Sequence, residues 1–196
     1  MIIGLVVAVA VVLLLVLRPV LAASTTKRFA VRLSVLMRQL TASGETELSR
    51  DVDAVTEKIA AAKGLRALFA EASRRGRLAA IAPIVEPQVP AIIDVLQKSL
   101  ETNEKGLHYE LVMALGQLGP LAVDAVPDIL RQITLVDQPD LKEGIAYKAI
   151  DQIGRAALPT LDKLCLDKTA EKDLRRAAKE AVRRIDPKLA DKYPNV

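Results

Sequence analysis

A phrase that recurs in the second half of the chain limits what it can fold into. Ala114-Leu115-Gly116-Gln117-Leu118-Gly119 is followed by Ala125-Val126-Pro127. Ala149-Ile150-Asp151-Gln152-Ile153-Gly154 comes 35 residues later and is followed by Ala157-Leu158-Pro159. A third, looser copy stands 32 residues further on, at Ala181-Val182-Arg183-Arg184-Ile185-Asp186. Self-similarity at a period of roughly 30–40 residues is the mark of a solenoid, in which each unit buries its apolar face only against its neighbours.

Each part of the phrase has a physical reading. Ala and Leu alternate small and large on one helix face, so a neighbouring helix can come close. Gly119 and Gly154 read as helix stops, because glycine enters the left-handed region without a Cβ penalty. Pro127 and Pro159 read as first-turn residues of the next helix, where a missing N–H costs little. The expectation is helix, short turn, helix, repeated.

This pattern resembles HEAT-type repeats, especially the short bacterial kind with an A-L-G-x-L-G…A-V-P-x-L core. The resemblance covers about residues 66–186, with two good copies and two degenerate ones. In the degenerate unit Pro90 opens a second helix, and Leu78, Ile81 and Ala82 stand where Leu115, Leu118 and Gly119 stand. Such repeats often carry an Asp before the first helix and an Arg inside it, forming a ladder between units. Asp167 and Arg175 fit that ladder, whereas His108 and Glu143 occupy the other Arg positions, so the ladder is incomplete. An irregular helical bundle is the bland alternative.

The N-terminus sets a second constraint. Ile2 to Leu17 contains no polar side chain; Arg18 follows, and Pro19 to Ala23 is apolar. As a helix, Ile2–Ala23 spans about 33 Å, against a hydrocarbon core of about 30 Å. Arg18 can snorkel its guanidinium to the interface. A transmembrane anchor over 1–23 is the simplest reading. A cleaved signal peptide is the rival: Ala22-Ala23-Ser24 offers a small-residue site, although a basic stretch before the apolar run is missing.

Charge gives the expected orientation. The first 44 residues carry Arg18, Lys27, Arg28, Arg32 and Arg38 and no acid, a net +5. The remainder holds 23 basic and 24 acidic residues. The positive-inside bias then places the following domain in the cytoplasm. Arg18, Lys27, Arg28 and Arg32 are the expected membrane-interface residues. Residues 24–64 read as a juxtamembrane helical region: Phe29, Leu33, Leu36, Met37 and Leu40 recur at helical spacing. Thr41–Gly44 breaks that helix, a second runs from Glu45 to Ala62, and Lys63-Gly64 is expected to end it. Basic residues here either touch anionic headgroups or simply flank a core-packing helix. Residues 65–196 form the expected repeat domain.

Catalytic signatures are lacking. One histidine and one cysteine give no His-based zinc cage, no CxxC and no intramolecular disulfide. No glycine-rich phosphate loop follows a strand. Cys165 falls at an apolar helix position and reads as a core residue; His108 reads as an inter-repeat or surface residue. Asp124 with Asp128, and Asp140 with Glu143, read as charges at helix N-termini rather than acid–base pairs. Basic clusters at Arg74-Arg75-Arg77 and at Arg175-Arg176 with Arg183-Arg184 argue little for nucleic acid, since the repeat region is close to neutral and Trp is absent. Bilin-lyase subunits of phycobilisomes use similar repeats, but no catalytic residue can be carried over.

The sequence therefore leads to an all-α chain: an N-terminal transmembrane helix, then a short α-solenoid of HEAT-like hairpins. The expected function is non-catalytic, with no cofactor or metal: a scaffold that positions a protein partner at the cytoplasmic membrane face. The alternative is an exported binding module in the cell envelope. Solenoids bind on the surface made by successive second helices. The polar positions of those helices, Asp94, Gln97, Lys98, Asp128, Arg131, Gln132, Asp162 and Lys163, are the expected contacts.

Overall fold

Three short apolar-proline steps each start a helix. Val89-Pro90, Val126-Pro127 and Leu158-Pro159 occupy the first two positions of α4 (Val89–Glu101), α6 (Val126–Thr134) and α8 (Leu158–Leu166). Each is preceded by a 3-10 turn: Glu86–Gln88, Gly119–Ala125 and Gly154–Ala157. The expected rhythm of helix, turn and proline-led helix is thus present. The structure, a computed structural model, describes residues 25–42, 52–134 and 139–193, without the side chains of 52–53, 132, 134 and 139–143. Among these residues every regular element is helical and there is no strand.

The remaining helices are α1 (residues 25–41), α2 (Val52–Arg74), α3 (Leu78–Val85), α5 (Lys105–Leu118), α7 (Pro139–Ile153), α9 (Lys172–Ile185) and α10 (Pro187–Ala190). α5 is stopped by Gly119 (φ 57°) and α7 by Gly154 (φ 70°), as their place in the repeated phrase implies. A non-glycine residue at either site would be strained. α10 starts with Asp186, whose carboxylate accepts from the Leu189 N–H at 3.2 Å, and with Pro187 in its first turn.

The helices pack in two rows. α2 lies on α5, α5 on α7, and α9 closes against α6, α7 and α8. The second helices pack in their own row, α4 on α6 and α6 on α8. α5 is central, and Leu107, Leu111, Val112, Leu115 and Leu118 are all essentially inaccessible. A helix buried on several sides needs apolar residues around most of its circumference, which its sequence supplies. One hydrophobic cluster runs from Leu33 on α1 to Tyr193 after α10.

Gly116, the glycine inside the repeated phrase, marks a close contact between α5 and α7. A Cβ there would stand 2.9 Å from the Ala149 Cα and 3.0 Å from its Cβ. The small residues of both copies therefore meet each other across α5 and α7.

Two expectations change. The helix expected to stop at Gly64 runs through it as α2, which ends near Arg74. Gly64 is there for space: a Cβ would meet Leu36 Cδ2 at 2.6 Å, so α1 lies directly over it. The element at Leu78–Ala82 is not the first-row helix of its unit. α3 is short, runs through a 3-10 turn into α4, and the helix that packs on α5 from that side is α2. α1 packs on the core through one face and carries its basic residues on the other. Leu33, Met37 and Leu40 are buried, while Lys27, Arg28, Arg32 and Arg38 are exposed.

The expected span over 1–23, with Arg18, lies outside the described residues, as does the expected helix start at Glu45. Among the described residues one stretch is long and apolar enough to cross a membrane: Leu78–Glu101, 24 residues with mean hydropathy 1.5. It comprises α3, the 3-10 turn and α4, and it gives Ile81, Val85, Val89, Ile92 and Leu96 to the core.

Candidate functional site

The second-row helices expose polar side chains between apolar anchors. On α4, Ile92 and Leu96 point inward, and Asp94, Gln97 and Lys98 fall on the exposed side. On α8, Leu161 and Cys165 are buried, Lys163 is exposed and Asp162 is half-buried.

Neighbouring elements then divide these candidates. Asp128 is only 7 % exposed. Its Oδ1 accepts from Gln97 Nε2 at 2.9 Å and from Arg131 Nη1 at 3.1 Å. Asp128, expected among the partner contacts, sits in the first turn of α6 and ties α4 to α6. Gln97 and Arg131 share in that tie. Asp162 Oδ1 accepts from the Tyr193 hydroxyl at 2.6 Å, which fastens the segment after α10 to α8. Lys179 Nζ on α9 donates to the Tyr193 carbonyl at 2.9 Å. Gln132 lies on α6, with its side chain outside the described set.

Asp94, Lys98 and Lys163 remain, and the structure places the first two on the walls of two grooves. One groove, about 550 Å³, runs between α4 and the Gly119–Ala125 turn. Its apolar walls are Val89, Pro90, Ile93, Pro120, Leu121 and Val123, and its charges are the carboxylates of Glu86, Asp94 and Asp124. No cation lines it among the described residues. The other groove, about 470 Å³, separates the C-terminal end of α1 from α4 and is lined by Asp94, Lys98, Lys58 and Glu101 among others. Asp94 is common to both.

Several organising pairs were not anticipated from the sequence. Arg66 on α2 reaches Glu110 on α5 at 3.1 Å, and its guanidinium lies 6.0 Å from the Tyr109 ring centre. Arg184 on α9 makes two hydrogen bonds to Asp151 on α7 and lies 5.4 Å from the Tyr147 ring centre. Both bridges join adjacent first-row helices, each built from an arginine, a carboxylate and a tyrosine. Glu110 is 5 % exposed, so its bridge is shielded from water, whereas the Arg184–Asp151 pair is open to it.

Asp167, expected before the first helix of its unit, accepts from the Thr169 N–H at 2.8 Å and the Thr169 hydroxyl at 2.6 Å. Those bonds, with the charge of Arg175, hold its carboxyl below the usual range. His108 is buried on α5 and so is not a surface residue. The Glu143 side chain lies outside the described set.

Cys165 is not an activated nucleophile. Burial, and then the nearby Asp162 carboxylate, raise the Cys165 thiol from 9.0 to about 11. A thiol so protonated is unreactive at neutral pH. Among the described residues no three His, Cys, Asp or Glu side chains gather as a metal site. In comparisons with known proteins, no family model, no curated protein and no solved structure matches the chain.

Proposed function

We propose that the chain is a non-catalytic, HEAT-like α-solenoid, held at a membrane by its N-terminal apolar segment, that positions a protein partner along its second-helix row. The observation that carries this reading is the groove between α4 and the Gly119–Ala125 turn. It combines six apolar side chains with the carboxylates of Glu86, Asp94 and Asp124. A partner segment with aliphatic side chains and flanking Lys or Arg matches both features, since complementary charge steers encounter and apolar contact retains the complex.

The two-row packing supports the solenoid part of the reading, because each first-row helix contacts its sequence neighbours in the same row. Ile2–Ala23 is assigned as the tether in preference to Leu78–Glu101, because the latter already supplies Ile81, Val85, Ile92 and Leu96 to the core. Side chains cannot serve lipid and core at once. The excess of basic residues between Arg18 and Arg38 directs the repeats to the cytoplasm.

A photo-crosslinking residue placed at Ile93 in living cells tests the site. The reading predicts one dominant crosslinked protein, reduced at least about tenfold by adding Asp94→Lys, a loss that corresponds to about 1.4 kcal/mol. Crosslinks that are diffuse, or unchanged by the charge reversal, contradict it.

A further inference from the structure

A second cavity lies where α1 meets α2 and α3. It encloses about 240 Å³ and opens beside Thr25 and Thr26, at the first described turn of the chain. Its apolar wall is made by Phe29 of α1, Leu68 and Ala72 of α2, and Ala80 and Ile81 of α3. Around that wall stand four guanidinium groups, Arg28, Arg32, Arg75 and Arg77, against one carboxylate, Glu71.

The single acid is already engaged. Glu71 Oε1 pairs with Arg75 at 3.0 Å, and Oε2 stands 3.9 Å from Arg32. Arg28 and Arg77 make no ion pair among the described residues, and both are exposed. The cavity mouth therefore carries an excess of three positive charges beside an apolar surface. Guanidinium groups match phosphate oxygens in geometry and charge. An apolar wall directly beside them is wasted on a free phosphate ion and suits a phosphate esterified to an acyl glycerol.

Position selects the same ligand. The apolar run Ile2–Leu17 ends eight residues before Thr25. Eight residues, even fully extended, reach about 26–29 Å. If that run lies in a bilayer, the mouth of the cavity is confined near the headgroup layer. We propose that this cavity binds one anionic phospholipid, with its phosphodiester between Arg28 and Arg77 and its first acyl carbons against Phe29, Leu68 and Ile81. The inference rests on the membrane-tether reading for the supply of its ligand. It adds a specific lipid subsite, which a tether alone does not require. An occupied cavity would fix α1 and α2 relative to the bilayer and so set the direction in which the second-helix row faces.

The test uses the full chain in neutral maltoside micelles, read by native mass spectrometry with dioleoyl phosphatidylglycerol or dioleoyl phosphatidylcholine. The expected result is one retained phosphatidylglycerol, preferred about tenfold or more over phosphatidylcholine, in line with a contribution of about 1 kcal/mol per arginine. Arg28→Gln with Arg77→Gln should abolish the preference, and Arg28→Lys with Arg77→Lys should keep most of it. Unaltered thermal melting of both variants guards against misfolding. Equal retention of the two lipids, or a preference indifferent to the glutamine pair, overturns the proposal. So does absence of either lipid, as when the chain's own N-terminal residues fill the cavity, or equal protection by inorganic phosphate. Alkaline extraction of cell membranes reports separately on the tether: release of the chain there refutes the tether and leaves the micelle result to judge the cavity.

Discussion

Gly116 has no room for a side chain, because the Ala149 backbone stands 2.9 Å from where its Cβ would be. Gly116→Ala must push α5 and α7 apart, and overpacking of this kind costs about 1–3 kcal/mol. Gly144 provides the control. It lies inside α7 with nothing within 4 Å of its missing Cβ, so Gly144→Ala should stabilise by about 0.5–1 kcal/mol through helix propensity alone. Thermal or urea unfolding of the pair checks the opposite signs; equal effects would refute the close approach of the two helices.

Cys165 offers a residue-scale test of the core. Its pKa is raised from 9.0 to about 11 by burial, so the folded chain holds the thiol proton more tightly than the unfolded chain. The associated stability is fully present below pH 9 and is lost as pH rises through about 11. Iodoacetamide should accordingly modify the native protein slowly at pH 8 and rapidly once urea has unfolded it. Fast native alkylation would mean that α8 does not pack as described.

At the scale of elements, two bridges of like composition differ in burial. Arg66→Ala leaves the Glu110 carboxylate buried without its partner, and should cost about 1–3 kcal/mol after discounting the partial exposure of Arg66. Arg184→Ala breaks a solvent-exposed pair, and should cost no more than about 1 kcal/mol. Denaturant titrations of the two variants will rank them, and the reverse order would show that Glu110 is solvated.

The same contrast explains what could be read from sequence. Gly119, Gly154, Pro127 and Pro159 act on their own backbone, so the helix ends they mark were legible. Gly64 was misread as a stop because its reason for being glycine is Leu36, on another helix. Asp94 and Asp128 look alike in sequence. Their fates separate because Gln97 comes to lie over Asp128, and that register is set by the packing of α4 on α6. Arg66–Glu110 and Arg184–Asp151 are non-local for the same reason. The acidic groove was half legible: Asp94 was picked out as a contact, but Glu86 and Asp124 join it only once the 3-10 turn folds against α4.

At the scale of the molecule, charge and apolarity are segregated along the chain. The N-terminal 44 residues hold the apolar run and a net +5, whereas the remainder is close to neutral. The two grooves follow that gradient. The arginine-rimmed cavity lies against α1, the helix that follows the apolar run in sequence, and the carboxylate-lined groove lies farther along the chain, on α4 and the Gly119–Ala125 turn. An anionic membrane surface at one and a basic partner segment at the other is the arrangement this polarity favours, because each surface repels the other's ligand.

The central claim is that the N-terminal segment stays on the chain and anchors the repeats in the cytoplasm. The direct measurement is a C-terminal topology reporter in intact cells, combined with the mass of the mature chain. The expected result is a chain that keeps Ile2–Ala23 in its measured mass, and a reporter active only on the cytoplasmic side. A mass shortened by about the first 23 residues, or a reporter active outside, would contradict it and place the groove in the cell envelope.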